Sequence, residues 1–468
     1  MKNISAGDAT SFNDLSSDHN PVFFEINISS NFAAPSKKIS ITDWISFGEI
    51  IHNSIPGNPK MNTIEDIDNC INQFTCNITT AINLSTKARH VTGPFRQLTP
   101  FILEKIKLKN SFRKLYQQTF SPPPHQRKAY KLQKEIHDDI EEFDNNRWKE
   151  TIQDINPEDN TLYEMNRKLT KKFTPTPPIL DTDGMKYTPL GKENAFRHSL
   201  ENSFQEDPEP YCNIHISKGN RTIKNYFTNP KNSEKPELVT PGEVIQLIKK
   251  INPRKATGPD GVPNKALRML TLNAVTHLTK IFSRCLSLLH FPEAWKRAHV
   301  LMFPKPNQNH KLPDSYRPIS LLSNIGKLYE KLLLKRIKTH CEDDHIIPHE
   351  QFGFKEKHSC THQLLRVTNK IVHGFNAKHF TGGVFLDVRK AFDRMWHQGL
   401  IAKMINSKFP DYLISIINNF LTNRTFQVRV NQILSNVGVI QTGTPQGISL
   451  SQPYTISTIR TSPITRTS

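Results

Sequence analysis

The sequence predicts a mixed α/β (α+β) fold, in which a mostly helical first part precedes a compact domain of helices and strands. Long segments with apolar residues at three- and four-residue steps predict the helices, and short apolar runs predict buried strands. The chain has 468 residues, enough for about three domains on the usual length prior. Its 32 prolines indicate that irregular stretches separate the folded parts.

The charge balance indicates a polyanionic partner. Lysine and arginine total 62 against 43 aspartate and glutamate, a formal net charge of +19. Such an excess favours nucleic acid, with an acidic membrane surface as the alternative. No apolar run approaches the length of a membrane span, and the first residues, MKNISAGDATSF, do not resemble a signal peptide. We therefore expect a soluble, intracellular protein without a membrane partner.

The cysteines and histidines leave one metal alternative open. The six cysteines lack the density of a secreted disulfide scaffold, so reduced thiols are expected. Cysteines and histidines crowd between His340 and His362, where a zinc-stabilised interaction module is an alternative interpretation. The ligand pairs at short fixed offsets that structural zinc sites nearly always contain are missing there. Elemental analysis for zinc would identify such a module.

The first half of the chain is predicted to hold a strand, helices and a linker. Pro21–Ile28 alternates in character as a strand does. Helical spacing then occurs at 64–82, 102–116 and 129–143. The prolines of Ser121–Pro124 must separate the last two helices. Phe173–Pro236, rich in Pro, Asn, Lys and Ser, predicts an irregular linker with some local order.

A compact domain is predicted to begin at Thr240. Thr240, Pro241 and Glu243 supply a helix N-cap, a first-turn proline and a capping-box acid. Helical spacing continues to Leu289, and His299–Phe303 has the composition of a buried strand. Three aromatic residues are expected in the core: Trp295, Trp396 and Phe303.

Five motifs follow in order behind the turn KATGPDG, which runs from Lys255 to Gly261. They are FPEAWKRAHVLMFPKP, SYRPISLLSNIGKLYEKLL, HEQFGFKEKHSCTHQLL, GGVFLDVRKAFDRMWH and GTPQGISLS. In that order they resemble the reverse transcriptases of LINE-type (non-LTR) retrotransposons, particularly the insect jockey-like group. The resemblance covers roughly 240–450 and implies right-hand polymerase fingers and a partial palm. Group II intron maturases are a related alternative.

The resemblance implies a role for several charged residues. Lys305 and Arg317 would lie on the fingers, against the triphosphate of the incoming nucleotide. Asp387 would end a buried palm strand, GGVFLDV, as the catalytic ligand of a two-ion magnesium site. Asp393 would fall in the first turns of the next helix, where an acid more often serves the helix dipole than a metal.

Other residues would contact the nucleotide or the template. The resemblance implies that Phe392 lies against the sugar, where it excludes ribose, and that Gln446 and Gly447 support the nascent base pair. Phe352 and Gly353 of the QFGF motif are expected to be structural supports.

A second resemblance concerns the start of the chain. The residues SDHNPV look like the closing motif of an exonuclease III/AP-endonuclease-like domain, in which Asp18 orients His19 at the phosphate. The sequence therefore predicts an endonuclease remnant over 1–30, a basic, largely helical linker over 31–239 and a reverse-transcriptase domain over 240–468.

The end of the chain departs from the family, whose tyrosine-x-aspartate-aspartate motif is missing. We therefore expect a truncated RNA-directed DNA polymerase, with RNA template, DNA primer or target and deoxynucleoside triphosphates as partners. With Asp387 as its remaining catalytic acid, no nucleotide incorporation is expected in a primer-extension assay with magnesium. The alternative is a non-catalytic RNA- or DNA-binding remnant of a mobile element. Target-site reverse transcription implies a nuclear location, and the oligomeric state is not predicted.

Overall fold

Helices and strands both build this protein, and the mixed class predicted from the sequence is confirmed. The computed structural model describes residues 4–11, 22–28, 37–91, 98–119, 124–153, 176–205, 212–229, 235–347, 351–353, 358–385, 393–430, 433–444 and 450. The chain divides into two compact units. The larger comprises 1–32, 40–87 and 177–468, and the smaller comprises 33–39 and 88–176.

The elements are numbered in chain order over the described residues. The helices are α1 (Trp44–Ser54), α2 (Ile64–Ser85), α3 (Pro100–Thr119), α4 (Pro124–Gln153), α5 (Pro189–Ser203), α6 (Asn213–Thr228), α7 (Pro241–Lys250), α8 (Asn264–Arg268), α9 (Leu272–Ser287), α10 (Asn324–Asp343), α11 (Cys360–Asn376), α12 (His397–Asn406) and α13 (Asp411–Leu421). The strands are β1 (Ile4–Ser11), β2 (Val22–Ile28), β3 (Lys37–Thr42), β4 (Thr86–Val91), β5 (Ile179–Asp181), β6 (Gly184–Lys186), β7 (Arg297–Pro304), β8 (Tyr316–Leu321), β9 (Arg424–Val430), β10 (Ile433–Leu434) and β11 (Gly438–Ile440).

The smaller unit contains the helical pair α3 and α4. The two helices run antiparallel, since Lys105 of α3 binds Asp139 at 2.7 Å while Phe112 of α3 lies beside Lys128. Ile102 and Ile136 are buried in the seam. Both predicted helices are confirmed, and α4 begins earlier than expected, at Pro124, where a proline suits the first helical turn.

The core of the larger unit is built around α9 and an aromatic cluster. The rings that contact one another in this cluster are Phe282, Phe291, Trp295, Tyr329 and Phe420. Trp295 is buried, as predicted, and Trp396 is half-buried. Phe303 was expected in the core but is 47% exposed, because it lies on the uncovered face of β7 near the end of the strand.

Helices α1 and α2, which the sequence placed in a linker, belong to this larger core. Phe74 of α2 is buried and stacks on His277 of α9 with ring centroids 5.3 Å apart. His277 Nδ1–H donates to the carbonyl oxygen of Pro56 at 2.5 Å, so its Nε2 is free to accept from the thiol of Cys70 at 3.2 Å. Burial lowers the pKa of His277 and raises the pKa of the Cys70 thiol to about 11, and the pair is therefore neutral.

A five-stranded sheet contributes to the same core, and α5 packs against its strands β9, β10 and β11. Its order is β10-β9-β7-β8, with β11 also paired to β9. β7 runs parallel to β9 and antiparallel to β8. Smaller two-stranded sheets pair β1 with β2, β3 with β4 and β5 with β6. The strands predicted at Pro21–Ile28 and His299–Phe303 are thereby confirmed as β2 and β7.

The predicted palm strand GGVFLDV is wrong over its described part. Residues 381–385 form no strand, and Val384 and Phe385 are 87% and 94% exposed. An apolar run is buried only when another element covers it, and no described strand pairs with this one. The next helix also starts later than predicted, since α12 begins at His397 with Trp396 as its N-cap.

The irregular linker predicted for Phe173–Pro236 is also wrong, because α5, α6 and the β5–β6 hairpin form there. Side chains of α5 accept hydrogen bonds from strand and loop N–H groups of the sheet. Glu193 accepts from Val430 at 3.1 Å, and Glu201 accepts from Val439 at 3.2 Å. A helical segment without a strong apolar stripe therefore caps one edge of the sheet through its polar groups.

Candidate functional site

The predicted site residues divide between described and undescribed parts of the chain. Those outside the described residues are Asp18, His19, Asp387, Phe392, Gln446 and Gly447. Lys305 and Arg317 are described, together with the segments that flank Asp387 and Gln446. Among the described residues, no group of three or more His, Cys, Asp or Glu is arranged to hold a metal ion.

Three hydrogen bonds join the two flanking segments. Thr442 Oγ1 donates to the carbonyl of Asp393 at 3.2 Å. The Gly443 N–H donates to the carbonyl of Met395 at 2.8 Å. His397 Nε2–H donates to the carbonyl of Gly443 at 2.7 Å. The chain that follows the FLDV motif is thus fixed to the chain that leads into the PQG motif.

The side chains at this junction are buried. Asp393, Thr442 and Thr444 are largely inaccessible to solvent. Burial lowers the pKa of His397, although its bond to Gly443 opposes this, so the neutral imidazole is favoured. Asp393 lies four residues before α12 begins, outside the helix turn in which the sequence predicted it. These contacts were missed because no periodicity or charge pattern marks them.

Arg317 and Lys305 lie near each other but differ in their contacts. β7 and β8 pair Arg317 with Phe303, and because directly paired residues share a face of the sheet, both project from its exposed side. Ile319 continues this exposed face. Lys305 donates from Nζ to the carbonyl of Asp314 at 2.7 Å, so its ammonium group stabilises the turn before β8. Arg317 is the more available cation for a phosphate.

Further cations extend this face across the sheet. Arg297 lies two residues before His299 on β7, and Arg429 lies two residues after Gln427, the partner of His299 on β9, so all three share one face of the sheet. Burial lowers the pKa of His299, and the charges of Arg429 and Arg297 lower it further. His299 pairs with Gln427 of β9, so the cations cross from β7 to β9. The exposed side of the sheet therefore combines arginine with apolar side chains.

The KATGPDG turn packs on the start of α10. A Cβ at Gly258 would collide with the backbone of Leu322, so only glycine permits this approach. Asp260 accepts from the Ser323 hydroxyl at 2.5 Å and from the Val262 N–H at 3.3 Å. Burial raises the pKa of Asp260 although these bonds oppose it. The turn is held in a fixed position by these contacts.

A cationic cluster lies beside this turn. Burial lowers the pKa values of Lys327 and Lys331, and the charge of Lys255 lowers both further. The charge of Glu330 raises both pKa values and that of Asp260 raises the pKa of Lys327, so these two acids offset part of the positive charge. Lys327 and Lys331 are one helical turn apart on α10. Like charges held together favour an anionic partner such as a phosphate group. The i, i+4 spacing within KLYEKLL is the sequence signal that would have identified them.

The QFGF residues make local contacts. Phe352 packs edge-on against His358 with centroids 4.9 Å apart, and Arg366 lies 5.6 Å from the Phe352 ring. Gln351 donates to the carbonyl of Gly353 at 3.1 Å. These contacts support the structural role expected from the sequence.

Known proteins resemble the chain along most of its length. The family described as reverse transcriptase (RNA-dependent DNA polymerase) matches residues 303–460. The RNA-directed DNA polymerase from mobile element jockey of Drosophila melanogaster is 33% identical over 94% of this chain and 48% of the relative. The corresponding jockey protein of Drosophila funebris is 30% identical over 93% of this chain and 48% of the relative. A probable RNA-directed DNA polymerase from transposon X-element of Drosophila melanogaster is 28% identical, with the same shares covered.

The chain spans about half the length of these curated relatives. The similarity nevertheless extends well beyond the five polymerase motifs, into the region that supplies α1, α2, α5 and α6. A family match over the motif region and relatives that align with nearly the whole chain lead to one assignment. Residues 303–460 match the reverse-transcriptase family, and nearly the whole chain is similar to the RNA-directed DNA polymerases of jockey-like, LINE-type retrotransposons.

Proposed function

We propose that this chain supplies part of the polymerase of a non-LTR retrotransposon, the enzyme that copies an RNA template into DNA from a DNA primer, and that it binds the primer–template and the incoming nucleotide. The observation that carries the proposal is the junction between 393–397 and 442–443. Asp387 shortly precedes the first segment, and Gln446 shortly follows the second. Hydrogen bonds between the flanks restrict how far apart the catalytic acid and the base-pair contact can lie.

The chain's own residues would each perform a defined part of the reaction. Arg317 would bind the triphosphate of the incoming deoxynucleotide, and Phe392 would exclude a ribose hydroxyl. Asp387 would hold magnesium, which in polymerases activates the primer hydroxyl and stabilises the leaving pyrophosphate. The cationic cluster of Lys255, Lys327 and Lys331 suits the phosphate backbone of a bound strand.

The rest of the chain carries a second, subordinate proposal. The SDHNPV motif around Asp18 and His19 supports an endonuclease remnant over 1–30, and a nuclear location would follow for an enzyme that works at its target site. No described helix is both long and apolar enough to cross a bilayer. The extended similarity to element polymerases supports a polymerase over a non-catalytic remnant.

Photocrosslinking tests the polymerase proposal without depending on turnover. The chain, magnesium and an RNA–DNA primer–template are mixed with a photoreactive deoxynucleoside triphosphate, and labelling is quantified. Arg317→Ala should reduce labelling about tenfold at subsaturating nucleotide, because a charge-assisted phosphate contact is lost. Arg317→Lys should retain part of it, and Arg268→Ala, at an exposed arginine of α8, should leave it unchanged. Equal labelling of the Arg317→Ala variant and the wild type would refute the assigned role.

A further inference from the structure

The smaller unit separates its charges along α3 and α4. α3 carries five lysine or arginine residues and one glutamate. The first eleven residues of α4, from Pro124, carry four cations and no acid, whereas the remainder of that helix carries seven acids. Because α3 and α4 run antiparallel, the cations of both helices concentrate toward the end where α4 begins. This distribution is not explained by the polymerase site.

Three of these cations form a stripe along the exposed side of α4. Arg127, Lys131 and Lys134 are exposed, whereas Ala129 and Ile136 on the opposite side are buried against α3. Spacings of four and three residues put all three cations on one face. The stripe extends over roughly 10 Å of helix, about the length of three nucleotides of one strand.

The stripe is not neutralised within the described part of the chain. Arg127, Lys131 and Lys134 form no ion pair there, in contrast to Lys105, which binds Asp139 at 2.7 Å. Lys131 is followed four residues later by Glu135, the less favourable order for a helical pair. The charge of the stripe is therefore available to a partner.

An exposed aromatic ring lies beside the stripe. Tyr130 is 71% exposed and adjoins Arg127, Lys131 and Lys134 on the helix surface. Exposure of an aromatic ring to water is unfavourable, and stacking on an unpaired base would cover the ring. Bases are accessible for stacking in a single strand and inaccessible in a continuous duplex.

We propose that this face of α4 is a second nucleic-acid site, which binds single-stranded RNA. The cations would contact consecutive phosphates, and Tyr130 would stack on a base. The choice of RNA rests on the proposed function, because the template of that reaction is RNA. The site lies in a different compact unit from Arg317 and does not need that residue to bind.

Fluorescence anisotropy with a labelled single-stranded RNA of mixed sequence tests the proposal on the full chain. The triple variant Arg127→Gln, Lys131→Gln, Lys134→Gln should reduce the slope of log affinity against log salt by about 2, since each lost phosphate contact contributes about 0.7. Tyr130→Ala should weaken binding about fivefold or more without changing the slope, and Tyr130→Phe should bind as the wild type does.

A matched triple variant controls for the change in net charge. Lys218, Lys224 and Lys280 are exposed on helices of the larger unit, and their replacement by glutamine should leave the slope nearly unchanged. Circular dichroism should show equal helix content for all variants. The proposed site would be overturned if the α4 triple variant kept the wild-type slope. It would also be overturned if the control variant lost as much slope as the α4 variant. An unchanged affinity of Tyr130→Ala would overturn its single-strand preference. The Arg317 crosslinking result is independent of both outcomes.

Discussion

Replacement of Phe74 by alanine tests whether the early helices are part of the polymerase core. Phe74 of α2 is buried and stacks on His277 of α9. Removal of a buried phenylalanine side chain costs about 3–5 kcal/mol, through lost transfer free energy and the cavity that remains. Because the ring contacts α9 directly, this cost should destabilise α9 as well as α2. A helix in an independent linker would lose stability without affecting α9.

Hydrogen exchange measured by mass spectrometry gives the required local resolution, since two compact units need not unfold together. In Phe74→Ala, the opening free energy of amides in α9 should fall by about 3–5 kcal/mol under conditions where these amides exchange through unfolding of the larger unit. Ile64→Ala is the matched control, because Ile64 lies on the same helix but is 44% exposed, and it should change that free energy by less than about 0.5 kcal/mol. Unchanged protection of α9 in Phe74→Ala would refute the packing of α2 on this core.

Two other predictions concern the junction and the KATGPDG turn. His397→Ala should destabilise the larger unit by about 1–3 kcal/mol, since the Gly443 carbonyl loses its buried donor. The pKa of His397 is lowered in the folded protein, so on acidification the unfolded chain binds a proton at this histidine first. The contribution of His397 to the free energy of unfolding is therefore complete above about pH 6.5 and declines as the pH falls below that value. Between neutral and mildly acid pH, the melting temperature of His397→Gln should fall less than that of the wild type. An equal fall in both proteins would contradict this. Gly258→Ala should lower the melting temperature by collision with Leu322, whereas Gly48→Ala, which meets no neighbour within 4 Å, should raise it; equal effects would contradict the close approach.

Local patterns predicted much of the fold because they depend on neighbouring residues. The period of isoleucines in α2 and the Thr240 cap of α7 were sufficient to identify both helices, and Thr240 accepts from the Glu243 N–H at 3.3 Å. Glu243 does not complete the expected capping box in its observed contacts, since it binds Lys335 at 2.9 Å instead. That partner is distant in sequence and could not be foreseen.

The failures arose where tertiary contacts decide the outcome. α5 has a weakly apolar pattern and polar residues that are typical of a linker, and the strand residues that these polar groups bind are distant in sequence. Phe303 and the GGVFLDV run were predicted to lie in the core because they are apolar. Burial also requires a helix or strand that packs over these side chains. In the candidate site, motif order predicted Arg317, and that role stays a prediction, whereas the contacts of His397 with Gly443 depend on long-range geometry.

The edge contacts of α5 set a limit on how this protein can be dissected. A recombinant fragment starting at Thr240 would match the motif-bearing part of the sequence but would lack Glu193 and Glu201. The N–H groups of Val430 and Val439 would then lose their acceptors and open the border of the sheet to pairing between molecules. Such a fragment would aggregate for reasons unrelated to catalysis, and its inactivity would say nothing about the polymerase motifs.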